Sequence, residues 1–203
     1  MKIINNYIKF YYKDLNKFKL LKRIHTYYNN KINLISTNSL NKFYQNHIEY
    51  SLSIINLIKF LPNSKIMDAG TGGGFPGIPL SIIFKNTKFY LVDSIKKKIL
   101  ILKKIIKVLK IKNVYLINDR IENIKQKYDF IISRYLTNIN KFYNMVRNNI
   151  NKKSNHYLKN GIIYLTGVKN NEIKINKNFY IKDLYEIYKK QFYINKKIIY
   201  IPI

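Results

Sequence analysis

Five of the seven glycines in this 203-residue chain fall within eight residues, in the run Met67-Asp68-Ala69-Gly70-Thr71-Gly72-Gly73-Gly74-Phe75-Pro76-Gly77. Glycines at that density let a chain turn sharply off a strand and bring bare backbone against a ligand. The flanks fit: Lys65 to Ala69 is a short strand-like run, and Ile78 to Phe84 is an apolar segment that opens as a helix with prolines in its first turn. Composition sharpens the signal. The chain is rich in Lys, Asn, Ile, Tyr and Phe, which adenine- and thymine-rich codons specify, while Ala occurs once and Trp never. Residues kept against such drift are kept for a physical reason. The glycine cluster is one such exception, and the four arginines (Arg23, Arg120, Arg134, Arg147) are another, because lysine cannot supply planar bidentate hydrogen bonding.

The strand and helix unit repeats along the chain. Lys88 to Val92 predicts a strand ending in Asp93, and Ser94 is placed to cap a helix with the apolar stripe Ile95, Ile99, Leu102, Ile106 and Leu109. Val114 to Ile117, Tyr128 to Ser133 and Gly161 to Gly167 predict further strands, with a helix over Ile139 to Ile150. Such alternation implies an α/β fold with a parallel sheet covered on both faces and ligands at the carboxyl ends of its strands. Before the sheet, Tyr7 to Phe60 is helical in pattern, with Ile48, Leu52, Ile55 and Ile58 at three- to four-residue spacing. The expected organisation is a helical extension over 1–62 and a sheet domain over 63–203, forming one unit. Phe192 to Ile203 is expected to add antiparallel edge strands, and the Lys/Asn-rich stretch from Asn151 to Asn160 to be a mobile loop.

Charge and composition bound the function. A formal charge of +28 favours a polyanionic partner, although the codon drift accounts for part of it. No cysteine is present, so disulfides, thiolate metal sites and cysteine nucleophiles are excluded. No run approaches the ~18 apolar residues of a membrane span, and lysines interrupt the start of the chain, so a soluble cytoplasmic protein is expected.

Gly72, Gly74 and Gly77 satisfy a dinucleotide-type G-x-G-x-x-G pattern, so a nicotinamide or flavin enzyme must be weighed. Asp68 argues against it: a carboxylate at the strand tip repels a pyrophosphate but attracts the ammonium of a methionine moiety beside a sulfonium. Asp93 can accept hydrogen bonds from both ribose hydroxyls of either cofactor class. Together with Asn118-Asp119-Arg120-Ile121-Glu122, where Ile121 would lie against adenine and Glu122 would accept a hydrogen bond, the pattern favours S-adenosylmethionine. A P-loop is excluded, since no GK[ST] follows the glycines.

The string from Asp68 to Leu80 resembles the signature loop of the ribosomal RNA small subunit methyltransferase G family, also called glucose-inhibited division protein B. Asn33-Leu34 with Ser36, His47-Ile48 with Ser51, Leu91-Val92-Asp93-Ser94 with Lys97, Arg120-Ile121-Glu122, and Asp129 to Arg134 resemble further family motifs in the same order. The resemblance runs from about residue 20 to 170. It implies a class I, Rossmann-like S-adenosylmethionine-dependent methyltransferase fold with a mostly parallel seven-stranded sheet, acting on a guanine N7 of 16S rRNA. Implied cofactor contacts are Gly70, Phe75, Ile121, Glu122 and Arg134, to which the reading of the residues adds Asp68, Gly72 and Asp93. A monomer without metal is expected, with 16S rRNA or the small ribosomal subunit as partner and neither DNA nor membrane. Two positions depart from the family: Thr166 stands before Gly167 where a lysine is common, and Asn46 precedes His47 where an arginine is common. They motivate a second reading, a decayed rRNA- or ribosome-binding protein.

Guanine N7 carries an in-plane lone pair and no proton, so methyl transfer to it needs positioning more than base catalysis. Ser133-Arg134-Tyr135-Leu136 stands where an exocyclic amino methyltransferase would show [DNS]-P-P-[YFW], and a cytosine C5 enzyme would need a cysteine. Arg134 is therefore the candidate catalytic residue, orienting cofactor and base, with Tyr135 as a stacking surface; the competing role for Arg134 is a salt bridge to Asp68 or Glu122. His47 reads as a packed or capped histidine, and the helix lysines (Lys96, Lys97, Lys98, Lys103, Lys104, Lys107, Lys110) as a solvated face. The 19 tyrosines read mostly as core.

Overall fold

The computed structural model describes residues 14–167 and 172–203. Residues 1–13, where part of the expected helical extension falls, lie outside the described residues. Helix α1 (Leu15–Asn29) buries Phe18, Leu21, His25 and Asn29, a three- to four-residue spacing that sets one face against the rest of the protein. A short helix α2 (Thr37–Leu40) follows, and then a π-helical turn, Tyr44–Glu49, runs into α3 (Tyr50–Leu52) and a 3₁₀ turn over Ser53–Asn56. The wider π turn buries His47 and Ile48 side by side.

The sheet domain runs β1 (Lys65–Ala69), α4 (Gly77–Ile83), β2 (Lys88–Val92), α5 (Lys96–Val108), β3 (Val114–Ile117), β4 (Phe130–Arg134), α6 (Ile139–Val146), β5 (Gly161–Thr166), β6 (Tyr180–Asp183), α7 (Leu184–Tyr188) and β7 (Lys197–Pro202). Strand order across the seven-stranded sheet is β3-β2-β1-β4-β5-β7-β6, with the first five strands parallel and β7 antiparallel to both neighbours. β1 is central, Ala69 standing beside Val92 of β2 and Asp68 beside Ile132 of β4. The chain reverses its direction of travel across the sheet at β1, and this opens a crevice at the carboxyl ends of β1 and β4.

Because successive side chains point to opposite faces, the strands feed two cores. Ile66, Phe130 and Ile132 pack in the layer that contains Phe18, Leu21 and Phe43 of the extension, while Met67, Ile131 and Ile162 pack with Phe142 and Val146 of α6. The extension thus shares a core with the sheet domain. Each fully buried anchor such as Phe18 contributes roughly 1.5–3 kcal/mol of transfer free energy.

Several boundaries differ from the expectation. α5 starts at Lys96 with no side-chain cap from Ser94; instead the Ile95 N–H donates to Asp93 Oδ1 at 2.9 Å, so the strand-end carboxylate holds the helix start. The buried stripe of α5 is Ile101, Leu102, Ile105 and Leu109, with Ile95 about half exposed, because the helix leans on the sheet by the face next to the one predicted. β4 begins at Phe130, Tyr128 making only an isolated bridge to Ile150, and it carries Arg134 as its last residue. The α6 helix gives way to a 3₁₀ turn at Arg147–Asn149. In the tail, β7 is antiparallel as expected but inserts between β5 and β6, so the edge strand is β6, too short and polar to stand out in sequence. Asn151 to Asn160 is stitched by side-chain bonds: Asn160 Nδ2 donates to the Asn151 and Lys153 carbonyls, and Asn151 Nδ2 donates to Asp129. Among the described residues, no helix is long and apolar enough to cross a membrane, and no group of three or more His, Cys, Asp or Glu could hold a metal ion.

Candidate functional site

The glycine loop leaves β1 with Gly70, Gly72 and Gly74 all at positive φ. At Gly72 (φ +57) a Cβ would meet only the Gly70 carbonyl, 4.0 Å away, so the space above the residue is open and its bareness serves no packing of the protein itself. Gly77 is bare for the opposite reason: a Cβ there would fall 2.6 Å from Asp68 Oδ2. That approach lets the Gly77 N–H donate to Asp68 Oδ2 at 2.8 Å, while the Thr71 hydroxyl donates to the same oxygen at 2.6 Å. Asp68 is fully buried, and its Oδ1 has no partner. Burial pushes its pKa up to about 6 against the pull of those two bonds. The carboxylate therefore lies beneath the loop, at the strand tip where the sequence placed it, and lines neither cavity described below; it can act on a bound cation only as a buried charge.

Two cavities, of about 440 and 400 Å³, meet across Gly70 and Gly72. The second is lined by the carboxylates Asp93, Asp119 and Glu122, by apolar Ile95, Ile121 and Leu136, and by the cations Lys98, Arg120 and Lys141, among others. Asp93 is held by two backbone donors, Gly72 N–H to Oδ2 and Ile95 N–H to Oδ1, each 2.9 Å. A carboxylate has about four lone-pair sites, so one on each oxygen is left for hydroxyl donors. Ile95, Ile121 and Leu136 supply apolar walls for a flat ring. Leu136 also lies over Gly70, where a Cβ would meet its methyl groups.

The first cavity is lined by two cations, Arg134 and Lys196, and by no carboxylate. Half-buried Arg134 donates from Nη1 to the Asn46 carbonyl at 2.8 Å and from Nη2 to His47 Nδ1 at 3.0 Å. Its guanidinium sits over the rings of Phe75, 5.4 Å away, and Tyr50, 5.9 Å away. Neither Asp68 nor Glu122 forms an ion pair with it, so the salt-bridge alternative is not what the fold builds. The nearby Asp68 charge favours the charged guanidinium, but burial outweighs it and lowers the Arg134 pKa. Since a guanidinium cannot accept, His47 Nδ1 must be the acceptor, leaving its proton on Nε2 to be donated to Ser39 Oγ at 2.9 Å. Burial and the facing Arg134 charge hold the His47 pKa down at about 3, so the ring is neutral. Phe75 packs against it with ring centroids 4.6 Å apart. Lys196 lies over the Phe192 ring at 3.8 Å. Tyr135, the residue after Arg134, has φ +50 and is half exposed at the cavity mouth.

Of the residues singled out in sequence, Gly70 and Gly72 lie at the junction, Phe75 and Arg134 in the first cavity, and Asp93, Ile121 and Glu122 in the second. Sequence reasoning missed Ile95, Leu136, Ser39, Phe192 and Lys196; it read His47 as packed or capped, and the ring is indeed buried, packed on Phe75 and hydrogen-bonded, with Arg134 as a partner that reading did not name. For the contact of His47 with Arg134 the available signal was the family match of His47-Ile48 with Ser51. For Phe192 and Lys196 there was none, because only the antiparallel insertion of β7 brings them to the end of β5. The departure at Asn46 loses importance, since its contact to Arg134 is made by the backbone carbonyl, which no side-chain substitution removes.

Two solved structures share the architecture: a SAM dependent methyltransferase from Aquifex aeolicus (TM-score 0.54, 12% identical, covering 75% of this chain and 89% of that one) and an rRNA methylase from Streptococcus thermophilus (TM-score 0.50, 12% identical, 76% and 92%). At such low identity they establish the class I methyltransferase fold and nothing finer. The sequence relatives are nearer. "Ribosomal RNA small subunit methyltransferase G" of Flavobacterium johnsoniae is 40% identical over 191 residues, 94% of this chain and 91% of its own length, and that of Cytophaga hutchinsonii is 35% identical over 205 residues, 100% and 99%. The model of the family described as rRNA small subunit methyltransferase G matches residues 14–193, and with this coverage the chain belongs to that family.

Proposed function

We propose that this chain transfers the methyl group of S-adenosylmethionine to N7 of a guanine in 16S rRNA. The observation that carries the reading is the division of the cleft at Gly70 and Gly72: carboxylate acceptors (Asp93, Asp119, Glu122) and apolar walls, with Lys98, Arg120 and Lys141 at the same side, against Arg134 and Lys196 with no carboxylate on the other. A nucleoside joined to an amino acid has that same division. Asp93 is suited to the ribose hydroxyls, Ile121, Ile95 and Leu136 to the adenine faces, Glu122 to a donor on the nucleoside, and Arg134 to the carboxylate. Bound there, the cofactor supplies an electrophilic methyl group on a sulfonium. The protein's part is to orient and to exclude water, because N7 has no proton to remove. Neutral His47 is unsuited to protonate N7, which would block it, and the half-exposed Tyr135 offers a stacking face for an incoming base.

The test is transfer of tritiated methyl to 16S rRNA, free or within small subunits, with N7 alkylation read by borohydride- and aniline-induced strand cleavage. Cleavage at one guanine in wild type and none with Arg134→Ala, whose fold is checked by circular dichroism, is expected. A protein that binds rRNA without transferring methyl would establish the decayed form instead.

A further inference from the structure

Arg134 presents a physical puzzle. A half-buried guanidinium ordinarily finds a carboxylate, because desolvating a charge costs several kcal/mol unless it is paired. Here its two directed partners are neutral, the Asn46 carbonyl and the His47 imidazole, and the cavity it faces has no carboxylate in its lining. Both partners come from the π-helical turn of the N-terminal extension, which reaches over the carboxyl end of β4 to meet them. The imidazole is itself oriented, since Ser39 Oγ accepts its Nε2 proton and the Phe75 ring packs against it.

We propose that His47 is a positioning residue that holds Arg134 through a neutral acceptor, so that the guanidinium keeps its charge for an anion in the cleft, the α-carboxylate of the cofactor. This rests on the S-adenosylmethionine reading above. A neutral acceptor fixes the direction of the guanidinium as a carboxylate would, and it leaves the positive charge uncancelled by direct contact. Asp68 acts on the same charge only from beneath the loop, without touching it. The extension is then part of the cofactor site, for it supplies both groups that aim the arginine.

Calorimetry with S-adenosylmethionine and with its decarboxylated form, which lacks only the α-carboxylate, tests this in wild type and in His47→Gln, His47→Leu and His47→Glu, with folding followed by thermal melting. Wild type should prefer the intact cofactor by about 10- to 100-fold, the span of one charge-assisted contact. His47→Gln, a neutral acceptor, should keep that preference. His47→Leu, which cannot accept, and His47→Glu, which pairs with and cancels the charge, should each lose about tenfold or more for the intact cofactor and little for the decarboxylated one. If His47→Glu or His47→Leu binds both ligands as wild type does, His47 is only packed and the proposal fails. Should His47→Leu not fold, the contrast between the Gln and Glu variants decides alone. Equal affinity of wild type for the two ligands overturns the proposal and leaves the cofactor reading standing, whereas wild type binding neither overturns both.

Discussion

Asp68→Asn isolates the energetics of the carboxylate beneath the glycine loop. In the folded protein the Asp68 carboxyl has its pKa raised from 3.8 to about 6, mainly by burial. A raised carboxyl pKa means that the folded state holds the proton more tightly than the unfolded chain. The resulting stability is fully present below about pH 3.8 and is lost as pH rises through about 6. At about 1.4 kcal/mol for each pH unit, the gap between 3.8 and about 6 amounts to about 3 kcal/mol. Asparagine mimics the protonated carboxyl: its carbonyl can accept from Thr71 and Gly77 as Oδ2 does, and its amide takes the place of the unpartnered Oδ1. Urea denaturation of both proteins from pH 4 to 7.5 should therefore show the variant gaining about 2.5 kcal/mol of this relative to wild type, most of it between pH 4 and 6.5. Taking the difference cancels every other titrating group, including His47, whose lowered pKa acts in the opposite sense. A difference that stays flat across this range would refute the argument, because Asp68 would then titrate no differently folded and unfolded.

Asp93→Ala removes the acceptor for two backbone donors, the Gly72 and Ile95 N–H groups, and should destabilise by about 2 kcal/mol while weakening S-adenosylhomocysteine binding, both readable by ligand-dependent melting. Gly72→Val forces a β-branched residue to φ +57 and projects it into open space where the two cavities meet; at least tenfold weaker cofactor binding by calorimetry is expected from a chain that still folds. His47 keeps its pKa at about 3 in the fold against an ordinary 6.5, so its contribution to stability is lost as pH falls below 6.5. His47→Gln should show a shallower acid-side loss of melting temperature.

The sheet was legible because its parallel strands are near-continuous apolar runs separated by helical periodicity, and the loop because drift made every retained glycine conspicuous. What could not be read were features set by tertiary context. The π turn that carries His47 has the same local pattern as an α-helix. β6 is too short and half polar to signal a strand, and the place of β7 between β5 and β6 depends on pairings such as Ile162 with Ile201 and Ile181 with Ile199. Asp68 was correctly seen at a strand tip, yet its burial followed from Gly77 approaching within hydrogen-bond reach, which spacing alone does not reveal. Arg134 was singled out by its rarity, while its neutral partners come from a segment 87 and 88 residues earlier in the chain.

A crystal structure of the protein with S-adenosylhomocysteine tests the central claim most directly. It should show adenine beside Ile121, ribose hydroxyls on Asp93, and the amino-acid end across Gly70 and Gly72 toward Arg134. A ligand lying in the opposite sense, or density absent from both cavities at saturating concentration, would contradict the account.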